Sequence, residues 1–92
     1  MPSYLVETYL ARTRAGERAA RERQALVAAE ELASGHSRVC FRRSIYVPDD
    51  EICFFVFDAP SRTDVALAAH LAELGPIRVV EAVSSSNQKE ER

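Results

Sequence analysis

The segment from 52 to 57 constrains the fold more than any other six residues, because it is apolar at both even and odd positions. A strand points alternate side chains to opposite faces. One face therefore carries Ile52, Phe54 and Val56, and the other carries Cys53, Phe55 and Phe57. The rest of the chain predicts two helices, which can cover only one face of a four-stranded sheet. We expect the other face to bury against a second copy or a ligand.

The remaining segments alternate between strand-like and helix-like patterns. Residues 3–10, rich in Tyr, Val and Thr, predict a first strand, and 14–33 predict a helix between an N-cap at Thr13 and a stop at Gly35. Further strands are predicted over 39–47, 51–57 and 77–83, and a second helix from Ser61, with Asp64 completing its cap, to Gly75. Residues 1–83 form a single predicted domain, and the polar run 84–92 is a predicted disordered tail.

The residues of the first helix that are predicted to be buried have mostly small side chains. They include Ala15, Ala19, Leu26, Ala29 and either Leu32 or Ala33. Because these side chains are mostly Ala, we expect the helix to lie close to the sheet and to gain little from burial per residue.

The order strand, helix, strand, strand, helix, strand is the ferredoxin-like βαββαβ topology of the α+β class. Right-handed crossovers place both helices on one face of a four-stranded antiparallel sheet. The other face stays open, and a second copy or a ligand is expected to cover it.

The turn at 48–51 predicts the register of the central hairpin, with Val47 opposite Ile52, Tyr46 opposite Cys53 and Cys40 opposite Ala59. The two cysteines would then lie on the order of 20 Å apart, too far for a disulfide. The face with Ile45, Phe54 and Val56 is the more aliphatic, so we expect it to pack on the helices. The open face is then predicted to hold a polar pocket: Glu7, Tyr9, Arg42, Ser44, Tyr46 and Cys53, with Arg78 or Glu81 from the last strand.

These pocket residues allow two interpretations. A carboxylate held by a guanidinium beside tyrosine hydroxyls could perform acid–base chemistry, with Glu7 and Arg42 as the central pair. The alternative, which we favour, is a structural ion pair. Cys53 is expected to be a small buried apolar residue, because no neighbouring His or Lys would lower its pKa.

Charge and motifs exclude several function classes. The formal net charge of −2 argues against a dedicated nucleic-acid or membrane binder. No leader or spanning segment is apparent, so we expect a cytoplasmic protein. No catalytic motif and no closely spaced metal-ligand motif occurs, and the two histidines, His36 and His70, are far apart in sequence.

Several short motifs resemble a family of small bacterial ferredoxin-like proteins of largely unknown function that has a nickel-binding member. They are Tyr4-Leu5-Val6-Glu7, Arg43-Ser44, Cys53, Asp58-Ala59-Pro60-Ser61, Pro76 and Glu81-Ala82-Val83. The resemblance implies a dimeric α/β-barrel homodimer that binds nickel or another divalent transition metal. His36, Glu7 and Glu81 are the candidate ligands.

The first hypothesis for function is therefore a small non-enzymatic binding protein, with nickel as a candidate ligand, that acts as a homodimer. Two alternatives stay open. One is a cofactor-free monooxygenase or isomerase with its site on the open sheet face, and the other is a structural or regulatory interaction module.

Overall fold

The computed structural model describes residues 1–84, and they form a ferredoxin-like α+β domain. The strands are β1 (Ser3–Tyr9), β2 (Cys40–Val47), β3 (Ile52–Asp58) and β4 (Arg78–Ala82), and the helices are α1 (Arg18–Ser34) and α2 (Arg62–Leu71). Short 3-10 turns span Arg12–Glu17 and Pro48–Asp50. The antiparallel sheet has the order β2-β3-β1-β4, so the predicted fold class is confirmed.

The hairpin register is as predicted near its turn and differs at its far end. Val47 pairs with Ile52 and Tyr46 with Cys53, but a bulge between Phe41 and Arg43 places Cys40 opposite Asp58 rather than Ala59. The extra residue in β2 also reverses the side of the sheet on which Phe41 lies. Phe41 thereby packs against Phe57, with ring centroids 5.3 Å apart.

The prediction that the aliphatic face of the sheet packs on the helices is wrong. The side that packs on the helices carries Val6, Phe55 and Phe57, which are all fully buried. Their partners on the helices are small: Ala25, Ala28 and Ala29 of α1, and Val65, Ala68 and Ala69 of α2. Because alanine helices provide little volume, close packing requires the bulky aromatic side of the sheet rather than the aliphatic side.

The two helices differ in how well the sequence predicts them. Ser61 caps α2 as expected, its hydroxyl accepting the backbone N–H of Asp64 at 3.3 Å. Helix α1 begins later than predicted, without a Thr13 cap, because the first turn is 3-10. Leu26, predicted to be buried, is 45% exposed, and Ala25 and Ala28 take its place in the core.

Helix α1 ends at Ser34 with Gly35 as its C-cap, as predicted, and α2 ends at Leu71 with Ala72 as its C-cap. Each C-cap is followed by a residue other than glycine in the left-handed backbone region. His36 has a φ of 78° and Glu73 a φ of 57°. The predicted stops, Gly35 and Gly75, lie one residue before and two residues after these positions. Of the predicted tail, only Ser84 lies within the described residues. Within residues 1–84 no helix is long and apolar enough to cross a membrane.

Candidate functional site

The side of the sheet without helices, the open face, is mostly apolar. Alternation along the four strands places seven large apolar side chains on it: Leu5, Ile45, Val47, Ile52, Phe54, Val56 and Val80. Ile45 is 42% exposed, and the central Val56 is shielded by its neighbours to 7%. The sheet therefore has a second apolar side in addition to its core side.

An ion pair between β1 and β4 lies on the open face. Arg78 Nε donates to Glu7 Oε1 at 2.7 Å, and these two residues are also partners in the β1–β4 register. The Glu7 side chain is only 17% exposed, whereas that of Arg78 is 65% exposed. Glu7 is thus held by Arg78 rather than by the predicted Arg42, which lies at the bulge and pairs with Asp58 at 3.3 Å.

Tyr9 also lies on this side of the sheet, at its end. Its hydroxyl donates to Glu51 Oε1 at 3.2 Å, and the other Glu51 oxygen accepts the backbone N–H of Arg12 at 2.9 Å. The negative charge of Glu51 raises the pKa of Tyr9. In this contact Tyr9 is the hydrogen-bond donor and Glu51 the acceptor.

The structure separates the six residues of the predicted open-face pocket. Glu7 and Tyr9 lie on the open face, and Arg42 contacts Asp58 and Cys40 at the edge of that face. The other three, Ser44, Tyr46 and Cys53, lie on the helix side. Placing these three on the open face is wrong, because the aromatic side of β3 faces the helices. The hydroxyl of Tyr46 donates to the Leu10 carbonyl at 2.8 Å, which ties β2 to the end of β1.

Ser44 belongs to a polar cluster beneath α1 that the sequence did not reveal. Arg18 Nε donates to Ser44 Oγ at 2.8 Å and Arg18 Nη2 to the Ser44 carbonyl at 3.1 Å, while the Ser44 hydroxyl donates to the Glu22 carboxylate. Arg18 and Glu22 stand four residues apart, one helical turn, so both reach the same point on β2. This spacing was the available signal, but pairs of opposite charge one turn apart are also common on exposed helix surfaces.

Cys53 is fully buried beside this cluster. Burial raises the pKa of its thiol, although the charges of Arg18 and Arg21 partly oppose the shift. A neutral thiol is a poor nucleophile and a poor metal ligand. The polar groups on the helix side of the sheet therefore bond to one another, with Arg18 and Glu22 both engaged by Ser44.

The structure does not bring the three predicted metal ligands together within the chain. Glu7 lies on the open face, Glu81 pairs with Tyr4 on the opposite side of the sheet, and His36 follows the end of α1. Within residues 1–84 no group of three or more His, Cys, Asp or Glu side chains is placed to hold a metal ion.

Three surface depressions lie outside the open face. The largest, about 470 Å³, is a groove between the outer surfaces of α1 and α2. One of about 440 Å³ lies beside His70 and Pro76, and one of about 280 Å³ lies between α1 and β2. None of the three is lined by Glu7, Tyr9 or Tyr46, so the proposed acid–base residues do not face a cavity of this set.

One solved structure is similar to this chain over most of its length. It is SCO4226 from Streptomyces coelicolor A3(2), with a TM-score of 0.68 and 15% sequence identity, and the match covers 91% of this chain and 99% of that one. At this identity the similarity shows the fold alone. No family model matches the chain, and no curated protein matches it by sequence. The chain therefore has the fold of a small ferredoxin-like protein, and the solved structure that it resembles is of a bacterial protein.

Proposed function

We propose that this protein is a non-enzymatic binding protein that acts as a homodimer, with the open face of the sheet as the dimer contact. The observation that carries the proposal is the apolar character of that face. Leu5, Phe54 and Val56 lie at its centre, on the two middle strands β1 and β3. Removing such side chains from water contributes roughly 25 cal/mol per Å² of apolar surface.

The size of the open face sets the expected strength of the dimer. Four strands about 4.8 Å apart and about seven residues of 3.3 Å give a face of roughly 19 by 23 Å. This projected area of roughly 450 Å² is smaller than the 800 Å² per partner, approximately, that standard interfaces bury. We therefore expect a dissociation constant in the micromolar range, about −8 kcal/mol, rather than nanomolar.

The ion pair between Glu7 and Arg78 fits this role better than a catalytic one. Glu7 already has a partner within its own protomer, so covering the face does not leave a carboxylate buried without a counter-charge. Tyr9 and Tyr46 are likewise engaged, by Glu51 and the Leu10 carbonyl. An acid–base enzyme needs such groups free to reach a substrate.

The proposal is tested by introducing a charge on the open face. Phe54→Glu should convert the dimer to a monomer in sedimentation equilibrium at tens of micromolar, about tenfold above the expected dissociation constant. Leu26→Glu, which adds the same charge at an exposed apolar residue of α1, should leave the dimer unchanged. A wild-type protein that is monomeric at this concentration would contradict the proposal.

Nickel binding, which the family resemblance implies, would need ligands from more than one protomer. Titrating nickel calorimetrically at pH 7.5 into wild type, Glu7→Gln and His36→Ala tests each ligand separately. If dimerisation assembles a site, Phe54→Glu should lose binding together with the dimer. Equal binding by wild type and both ligand variants would remove Glu7 and His36 from any nickel site.

A further inference from the structure

The groove between α1 and α2 has an apolar centre on the outer side of the helices. Its largest apolar side chains are Val27, which is 53% exposed, and Leu71, which is 45% exposed. Leu67, 46% exposed, precedes Leu71 by one helical turn on α2. This surface lies on the opposite side of the molecule from the open face of the sheet.

Charges along α1 are arranged symmetrically about Val27. Arg23 lies four residues before it and Glu31 four residues after it, and all three line the groove. The groove has one further charged residue, Glu73, which follows α2 and lies outside this row on α1. With a rise of 1.5 Å per residue, each charge is about 6 Å from Val27 along the helix axis. Within residues 1–84 neither Arg23 nor Glu31 forms an ion pair, although four other ion pairs are present.

A row that runs from positive through apolar to negative is complementary to itself when reversed. A two-fold axis at Val27 would place each Arg23 opposite the Glu31 of the other copy, with the two Val27 side chains in contact. A uniformly acidic or basic partner would instead meet a like charge at one end of the row. The charge order therefore favours a second copy of this chain over other occupants.

We propose that the helix layer is a second self-association surface, on which two copies pack α1 antiparallel about Val27 with reciprocal Arg23–Glu31 ion pairs. The contact uses different residues from the proposed sheet dimer and does not depend on it. When both contacts form, dimers join into larger assemblies. Because the charges are solvent-exposed, the contact is weak and is weakened further by salt.

A charge-exchange experiment tests the proposal. Arg23→Glu alone and Glu31→Arg alone each place like charges opposite one another, so each variant should self-associate at least tenfold more weakly than wild type. A 1:1 mixture restores both ion pairs, because Glu at position 23 of one protein meets Arg at position 31 of the other. Sedimentation velocity at up to about 1 mM should therefore show a higher mass for the mixture than for either variant alone.

Controls distinguish this contact from general charge attraction. Glu30→Arg and Arg38→Glu carry the same charge changes outside the groove, and their mixture should gain no mass. Val27→Asp should prevent association at the helix layer by placing two carboxylates at the axis. The readout is a gain in mass on mixing, so it is valid whether the starting variants are monomers or sheet-face dimers. No gain for the Arg23 and Glu31 variants, or an equal gain for the control mixture, would overturn the proposal.

Discussion

The two sides of the sheet bury apolar residues by different means. On the helix side, Phe55 and Phe57 are fully enclosed by alanine-rich helices, whereas on the open face Phe54 is half-buried by its neighbours on the sheet. The difference follows from volume. Helices that present alanine require large side chains from the sheet, so the aromatic side becomes the core and the aliphatic side is left without helices.

The largest expected effect is a difference in unfolding free energy between substitutions on the two sides of the sheet. Phe55→Ala should cost about 3–5 kcal/mol in the free energy of unfolding, because it leaves a cavity among the helix alanines. Phe54→Ala should cost clearly less, and its cost should depend on protein concentration if the face is a dimer contact. Urea unfolding of both variants at two protein concentrations measures this. Equal costs for the two substitutions would contradict the assignment of the faces.

The volume argument can be tested from the helix side. Ala28→Leu adds a bulky side chain where α1 packs on the core, and overpacking of this kind costs about 1–3 kcal/mol. Ala20→Leu, at an exposed position of the same helix, should be close to neutral and serves as its control. A Leu at position 28 that leaves the urea midpoint unchanged would show that the helix side is loosely packed.

A smaller effect is expected at the helix ends, outside both sides of the sheet. Glu73 has a left-handed backbone, which costs a residue with a Cβ about 1–2 kcal/mol. Glu73→Gly should relieve part of this cost and raise the thermal midpoint without changing the dimer. Gly75, with a φ of 61°, is the reverse case, and Gly75→Ala should lower the midpoint.

The smallest effect at neutral pH concerns Cys53 on the helix side. Its pKa in the folded protein is raised by burial, so the unfolded chain loses the thiol proton first as pH rises. The contribution of Cys53 is fully present below the unfolded pKa of about 8.5 and is lost as pH rises through the folded value. Cys53→Ala should therefore make the decline of stability above about pH 8.5 less steep. An unchanged slope would show that Cys53 does not contribute to it.

The sequence predicted the element order and the central register well, because alternation, the Ser61 cap and the turn at 48–51 are local signals. It did not predict which side of the sheet is the core. That choice depends on the volume of the helix side chains that face the sheet. The buried residues of α1 were themselves predicted wrongly, with Leu26 in the core instead of Ala25 and Ala28. The sequence also did not predict the bulge at Arg42, whose one extra residue moves Phe41 to the other side of the sheet.

The candidate site was predicted less well for the same reason. Glu7 and Tyr9 were grouped with Cys53 on one face, but the β1–β3 register places them on the opposite side of the sheet from Cys53. Ser44 and Cys53 were predicted to line the pocket because the wrong face of the hairpin was assigned to the open side. The Arg18–Ser44–Glu22 cluster was missed because it joins segments far apart in the chain, and only the packing of α1 on β2 brings them together.

The most direct test of the account is an isotope-filtered NOE experiment on a mixture of labelled and unlabelled protein. The spectra detect only contacts between copies. Under conditions where the protein is a dimer, we expect intermolecular signals from Leu5, Phe54 and Val56, and none from Phe55 or Phe57. Intermolecular signals confined to other surfaces would contradict the claim that the open face of the sheet is the dimer contact.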